Sequence, residues 1–339
     1  IQLRAMLKMN DKATTDNSAT SEAPSLNKDK PVMITGATGY VAGWIVKRLL
    51  ENGHTVHAAV RSPDNPEKLK YLNEMAEASS GSIKDFKSDL LEDGSYAKAM
   101  AGCEVVFHTA SPFTMDVKDP QKDLVDPAKL GTRNVLQQAN KTESVKRVIV
   151  TSSCAAIYGD TKDLSKTANG MFTEEHWNTS SSLTHQPYSY SKTVAEKEAW
   201  ELSKAQDRWE LVVINPSLVI GPGINPKGSS ESFNIVRQLG DGTTSTGIVD
   251  YQFGLDDVRD LAEAHINAGF SPTANGRHIV SGHNSGLVEM AKILRDKYGS
   301  KYPIPNRVLP KWLVWFVGPF INKSMTRQTI SNNIGFPFR

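Results

Sequence analysis

Tyr188 and Lys192 stand four residues apart in Tyr188-Ser189-Tyr190-Ser191-Lys192. In a helix that spacing puts both side chains on one face. A tyrosine hydroxyl titrates near about 10 and exchanges protons poorly at neutral pH. A nearby ammonium favours the phenolate and lowers that pKa. A shift of about three units corresponds to roughly 4 kcal/mol of differential stabilisation. The pair therefore suits general acid–base chemistry, giving a proton to a carbonyl oxygen while hydride reaches its carbon. Tyr190 is a decoy, because Val194 rather than lysine follows it at the same spacing. A third group should hydrogen-bond the carbonyl oxygen. Thr151-Ser152-Ser153-Cys154 follows an apolar run; Ser153 is the candidate, and Ser152 is assigned to packing or capping at the strand end. Tyr-x-x-x-Lys is common by chance, so its weight here depends on a second constellation.

That constellation is Thr35-Gly36-Ala37-Thr38-Gly39-Tyr40-Val41-Ala42-Gly43. Glycines between a strand and a helix let the backbone bend tightly and approach a pyrophosphate, and the helix N-terminus offers free N–H groups. Gly36 and Gly39 suit these tasks, Ala42 takes the third small-residue position, and Thr38, Tyr40 and Val41 complete the cradle. The alternative, an ordinary glycine-rich turn, is weakened by the preceding strand and following amphipathic helix. An NAD site places an acid near the end of the second strand for the ribose 2′-OH. Residues 55–60 contain none and run into Arg61, whose guanidinium matches a 2′-phosphate. Lys68 can add charge. Both could instead be solvated surface residues. The cofactor expected is NADPH/NADP+.

Repeated strands and helices must position these groups. Strands are expected at 32–35, 55–60, 83–86, 104–108, 147–150 and 211–214. Helices are expected at 41–52, 67–78, 93–100, 124–140 and 188–205. In the first helix Val41, Trp44, Ile45 and Leu49 share a face, and Gly53 sits where a C-cap glycine belongs. Such alternation implies a parallel sheet covered on both faces, with ligands outside the carboxyl ends of its strands. The fold class is therefore α/β: a Rossmann-type doubly wound parallel sheet with a smaller C-terminal substrate-binding subdomain. The nucleotide-binding part is expected over 31–216. Residues 217–339, irregular and richer in Gly and Pro, mainly form the substrate subdomain with segments returning to the sheet.

Among 339 residues the net charge is +2 and no long Lys/Arg run occurs, which argues against nucleic acid as a partner. Two cysteines, Cys103 and Cys154, are too few for a disulfide framework and lack metal-ligand spacing; no metal is expected, and a reducing, cytoplasmic location fits. Residues 1–30, polar through most of their length, read as a disordered tail without a signal-peptide core. The chain starts at Ile1, as a processed form or fragment would. Residues 312–321 are apolar but too short to span a bilayer, which takes about 20 residues. A buried segment is expected there, with a membrane-surface or partner patch as the alternative. Monomer and homodimer both remain open.

The chain resembles the extended short-chain dehydrogenases/reductases, in their dihydroflavonol-4-reductase-like group, which holds plant flavonoid and cinnamoyl-CoA reductases and yeast-type methylglyoxal and carbonyl reductases. The resemblance runs from Pro31 to the C-terminus. Besides the motifs above it rests on Ala59-Val60-Arg61, Asp89-Leu90, His108-Thr109-Ala110-Ser111-Pro112, Gly131-Thr132-Arg133-Asn134-Val135-Leu136 and Asn215-Pro216-Ser217 running to Gly221-Pro222. It implies that Ser153 orients the carbonyl, Tyr188 donates the proton, and Lys192 tunes Tyr188 and binds the nicotinamide ribose. It implies Arg61 and Lys68 at the 2′-phosphate, and Asp89 and Leu90 near the adenine. Thr109, Ala110 and Ser111 would lie along the cofactor, with Pro216 and Ser217 at its nicotinamide end. Asp89 could instead be a turn residue, and His108 a packed strand-end histidine.

Departures narrow the substrate. Ala42 replaces a glycine typical of the plant enzymes. Tyr158 stands where flavonoid reductases place asparagine, and His185-Gln186-Pro187 replaces the cinnamoyl-CoA signature. By the spacing of sugar-modifying relatives, Cys154 would take the hydroxyl position. The family continues into one more helical segment after a motif like Gly335-Phe336-Pro337-Phe338. The reading these residues carry is NADPH-dependent reduction of a small carbonyl substrate to an alcohol, in a moderately apolar pocket drawing on Phe113, Tyr158 and Phe253. The alternatives are an NAD-dependent sugar-nucleotide epimerase or dehydratase, which Arg61 opposes, and a non-catalytic NADP sensor, which would be expected to have lost Tyr188 or Lys192.

Overall fold

The computed structural model describes residues 26–111, 117–225, 228, 230–336 and 338. Seven parallel strands form the main sheet: β1 (Val32–Thr35), β2 (Thr55–Val60), β3 (Ser82–Lys87), β4 (Val105–His108), β5 (Arg147–Thr151), β6 (Glu210–Pro216) and, after an excursion, β9 (Gly276–Val280). Their order is β3-β2-β1-β4-β5-β6-β9. The order reverses between β1 and β4, and the crevice where such a sheet binds ligands opens there.

Strand parity builds the two hydrophobic layers. Val32 and Ile34 of β1, Val105 and Phe107 of β4, and Val212 and Ile214 of β6 face one side. They pack against α1 (Tyr40–Glu51), α2 (Pro66–Glu77) and α7 (Val258–Phe270). Met33, Val106, Val148, Val150 and Val213 face the other, against α3 (Ala97–Met100), α4 (Asp126–Lys141) and α5 (Pro187–Lys204). Alternate side chains of a strand point to opposite faces, so a strand covered on both sides is apolar throughout. The first helix ends as expected: Gly53, φ +81, lets its own N–H reach Leu50 O at 3.0 Å and that of His54 reach Leu49 O at 3.0 Å.

Past Pro216 the chain forms a small second sheet from β7 (Leu218–Ile220), β8 (Gln252–Asp257) and β10 (His283–Gly286), in the order β10-β8-β7. It is accompanied by α6 (Glu231–Gly240), α8 (Leu287–Tyr298), α9 (Lys311–Ile321) and α10 (Arg327–Asn333). Three expectations change. The helix expected over 93–100 shrinks to α3, because Gly94 adopts φ +74 and Ser95 Oγ turns back to donate to Asp89 O at 2.7 Å. Leu26 and Asn27, placed in the tail, dock on the body: Leu26 packs on the core and Asn27 N–H donates to Glu104 Oε2 at 2.7 Å. Residues 312–321 are not a buried segment. Val314 and Gly318 face inward, but Phe320 and Ile321 are 84% and 79% exposed, and Trp312 and Phe316 are exposed too. A helix apolar all round has more apolar surface than one contact face can cover. Among the described residues no helix is long and apolar enough to cross a membrane.

Candidate active site

Tyr188 occupies the first turn of α5, just after Pro187, whose fixed φ and missing N–H suit a helix start. Tyr188 and Lys192 share a face, and Ser189, Ser191, Thr193 and Glu196 are buried. Lys192 Nζ lies 5.8 Å from the Tyr188 ring centroid. Ser153 follows β5 and caps the short turn Cys154–Ala156, its Oγ accepting from Ala155 N–H at 3.1 Å. Tyr188 and Ser153 share a side-chain hydrogen bond. The three residues expected to act together are thus brought together at the carboxyl edge of β5.

Their electrostatics differ from the expectation. In the protein without ligand, burial raises the Tyr188 pKa, and the Ser153 hydrogen bond opposes that rise. As a whole residue Tyr188 is 40% exposed. The lowering expected from Lys192 is not in place, because the ammonium points to Ser111 Oγ, 2.9 Å away. Burial brings the Lys192 pKa down to about 8. His108 is the packed strand-end histidine: its Nδ1 lies 3.0 Å from Thr35 Oγ1, and burial brings its pKa down to about 3. The Cys154 thiol donates to Asn215 O at 3.2 Å and is pushed up to about 12, chiefly by burial.

Two strands away along the same edge, Gly36 turns at φ +65, and a Cβ there would lie 3.2 Å from Ala110. A Cβ on Gly39 would lie 3.1 Å from Gly36 O. No side chain caps the N-terminus of α1, and no acid stands in its first turn. Thr38 and Val41 flank this turn, and Tyr40 reaches out of it to donate to Gly221 O at 2.9 Å. This donor-rich concavity fits a dinucleotide pyrophosphate. Thr109 Oγ1 donates to Thr35 O at 2.6 Å, and Ala110 N–H to Thr35 Oγ1 at 3.0 Å, so both line the cradle's rim.

Arg61 and Lys68 stand exposed, after β2 and in the first turn of α2. One Asp89 oxygen accepts from Leu91 N–H at 2.9 Å, closing a turn after β3. Leu90 rests on Gly131, where a Cβ would fall 2.4 Å from its Cγ. Pro216 ends β6; Ser217 N–H donates to Val280 O at 2.9 Å, while its buried Oγ has no partner among the described residues. That orphan hydroxyl is a group a ligand can satisfy. Tyr158 stacks on Phe172 at 4.6 Å and tilts against Phe338 at 5.2 Å. Phe253 packs on Leu239, Ile248 and Met290, and its ring centroid lies 6.0 Å from that of Tyr251. Phe113 lies outside the described residues.

Sequence reasoning missed the polar support beneath the site. Glu196, 1% exposed, accepts from Ser152 Oγ at 2.5 Å, Asn215 Nδ2 at 2.7 Å and Arg277 Nε at 2.5 Å. Asn215 in turn donates to Ser153 O at 3.1 Å. The available signal was the repeat of the same spacing, Tyr188, Lys192, Glu196. Among the described residues no cluster of metal-ligating side chains occurs.

Residues 32–280 match the NAD dependent epimerase/dehydratase family. The chain is 38% identical over 279 residues to cinnamoyl-CoA reductase CAD2 of Medicago truncatula, covering 81% of this chain and 83% of that protein. It is 34% identical to dihydroflavonol 4-reductase of Gerbera hybrida, covering 83% and 76%. Gre2 of Candida albicans, solved in complex with NADPH, superposes with TM-score 0.71 at 31% identity, covering 82% of this chain and 86% of that one. With the family region spanning well over half of the sequence and reductases above 30% identity along most of it, the chain belongs to the extended short-chain dehydrogenases/reductases, in the group of dihydroflavonol, cinnamoyl-CoA and Gre2-type reductases.

Proposed function

We propose that the protein reduces an aldehyde or ketone to an alcohol with NADPH as hydride donor. The observation that carries this reading is the Ser153–Tyr188 hydrogen bond, with Lys192 one turn further on, two strands from a glycine cradle on the same sheet edge. Gly36, Gly39 and the start of α1 would hold the pyrophosphate. Arg61 and Lys68 would hold the 2′-phosphate, and the absence of an acid at the end of β2 disfavours NAD. Bound NADPH supplies a hydride to the carbonyl carbon.

The chain's own residues manage the oxygen. Ser153 Oγ–H donates to the carbonyl oxygen and orients it. Tyr188 Oη–H transfers its proton there as negative charge develops, so the product leaves as a neutral alcohol. The Lys192 ammonium stabilises the remaining phenolate, which regains a proton from water at the open side of the cleft. The aromatic group of Tyr158, Phe172 and Phe338 suits a moderately apolar substrate. The NADPH complex of yeast methylglyoxal/isovaleraldehyde reductase Gre2, 26% identical with TM-score 0.68 and covering 89% of this chain and 96% of that one, supports the cofactor and the substrate class. Arg61 and the protonated, turned-away Cys154 weigh against sugar-nucleotide epimerisation.

The test is NADPH consumption with aldehydes, α-dicarbonyls, aryl ketones and dihydroflavonols, beside Tyr188→Phe. Turnover that is poor with NADH and falls by about 10²-fold or more in the variant is the expected result. Tight NADPH binding without turnover of any carbonyl would move the reading to an NADP sensor.

A further inference from the structure

Among the described residues one non-glycine holds a positive φ: Gln186, at 52°. It stands two residues before Tyr188, where the chain turns into α5. L-residues avoid this region, and such conformations persist only where surroundings over-determine them. Here the surroundings centre on the Asp160 carboxylate. Gln186 Nε2 donates to Asp160 Oδ1 at 2.7 Å and to Gly159 O at 2.6 Å. Neighbouring His185 places Nε2 2.9 Å and 3.0 Å from the two Asp160 oxygens.

The same carboxylate is gripped from the far end of the chain. Asn333 Nδ2 donates to Asp160 Oδ1 at 2.7 Å and Asn332 Nδ2 to Oδ2 at 2.8 Å. Asn333 Oδ1 accepts from Thr161 N–H at 2.8 Å, which orients its amide. Asp160, His185 and Asn333 are all buried, at 3%, 4% and 1% exposure. Charge-assisted hydrogen bonds in such surroundings are strong and directional.

We propose that Asp160 is a positioning residue for Tyr188. Its carboxylate, fixed by Asn332 and Asn333 of α10, holds His185 and Gln186 in the turn that aims the first turn of α5. The inference rests on Tyr188 being the proton donor. The rest of α5 is anchored independently, through Glu196 to Arg277 and Glu198 to Arg133. Loss of the clamp therefore loosens the tyrosine's turn rather than the helix.

The experiment compares Asp160→Asn, Asn333→Ala, Gln186→Gly and the double variant Asp160→Asn/Gln186→Gly with the parent chain. NADPH affinity, kcat and KM are measured, and folding is checked by thermal unfolding. Misplacing a catalytic group costs up to about 10²-fold in rate. A fall in kcat of about tenfold or more is expected for Asp160→Asn and Asn333→Ala, with NADPH affinity unchanged, since the cradle is on another strand. Glycine adopts positive φ without strain, so the double variant should recover much of the kcat lost in Asp160→Asn. A merely structural role would lower the unfolding temperature without that rescue. Wild-type kcat in both single clamp variants, or loss without rescue, would overturn the proposal; if Asp160→Asn does not fold, Asn333→Ala carries the test. Full activity of Tyr188→Phe would instead overturn the underlying reading, whichever way the clamp variants behave.

Discussion

Lys192 is the residue whose charge the site controls most directly. Burial, unassisted by any acid, brings its ammonium down to about 8 from the ordinary lysine value. Reduction needs the cation to stabilise the Tyr188 phenolate, so kcat/KM is expected to fall as pH rises through about 8. Lys192→Arg should keep the charge and remove that limb, at some loss of rate from altered geometry. A profile flat from neutral pH to well above 8 in the parent chain would contradict this. Linkage gives a second sign. Between about 8 and the ordinary lysine value the unfolded chain binds more protons than the folded one, so Lys192 makes the unliganded protein gain stability as pH rises across that window. Unfolding midpoints measured through the window check it.

At the scale of elements, short side chains decide how closely helices approach the cofactor edge. Gly131 in α4 lets Leu90 lie across the helix, and a Cβ there would meet Leu90 Cγ, Cδ1 and Cδ2, all within 2.9 Å. The branched Cγ leaves no flexible tip to swing aside, and Asn134 Nδ2 pins the same segment through Leu90 O at 3.1 Å. Gly131→Ala is therefore expected to destabilise the fold by about 1–3 kcal/mol as an overpacked core does, read from urea unfolding. A neutral result would mean that the loop after β3 shifts freely. Strands β1, β4, β5 and β6 were legible because both faces are covered, so each reads as an apolar run, whereas β8, β9 and β10 carry no such run and, with the short β7, were not individually expected. The helix expected over 93–100 was not legible, because its outcome turned on Gly94 taking positive φ, a choice that packing makes and composition does not.

At the scale of the whole molecule, α1 is clasped by the segment beyond β7. Trp44 Nε1 donates to Pro222 O at 2.8 Å, Tyr40 Oη to Gly221 O at 2.9 Å, and the Tyr40 and Phe233 rings meet at 4.6 Å. The helix that offers its N-terminus to a pyrophosphate is thereby tied to the part of the chain that carries α6. Trp44→Phe keeps the ring packing and removes one hydrogen bond. A loss of about 0.5–1.5 kcal/mol is expected, with faster hydrogen exchange over 218–240. An unchanged exchange pattern would show that the clasp does not restrain that segment.

The amino-acid sequence by itself determined the strand–helix alternation of the nucleotide half, the glycine cradle, the cationic end of β2 and the Tyr188/Lys192 face, because each depends on residue type and spacing within one or two neighbouring elements. Tertiary structure decided the rest. Glu196 and Asp160 became support points only when β5, β6, β9 and α10 converged on them from positions far apart in the chain. The pKa directions of Tyr188 and Lys192 followed from burial, opposed at Tyr188 by the Ser153 hydrogen bond. The outward face of α9 followed from which of its apolar sides found a partner. Hydrogen bonds, burial and charge act through space, and only the closed fold sets those distances.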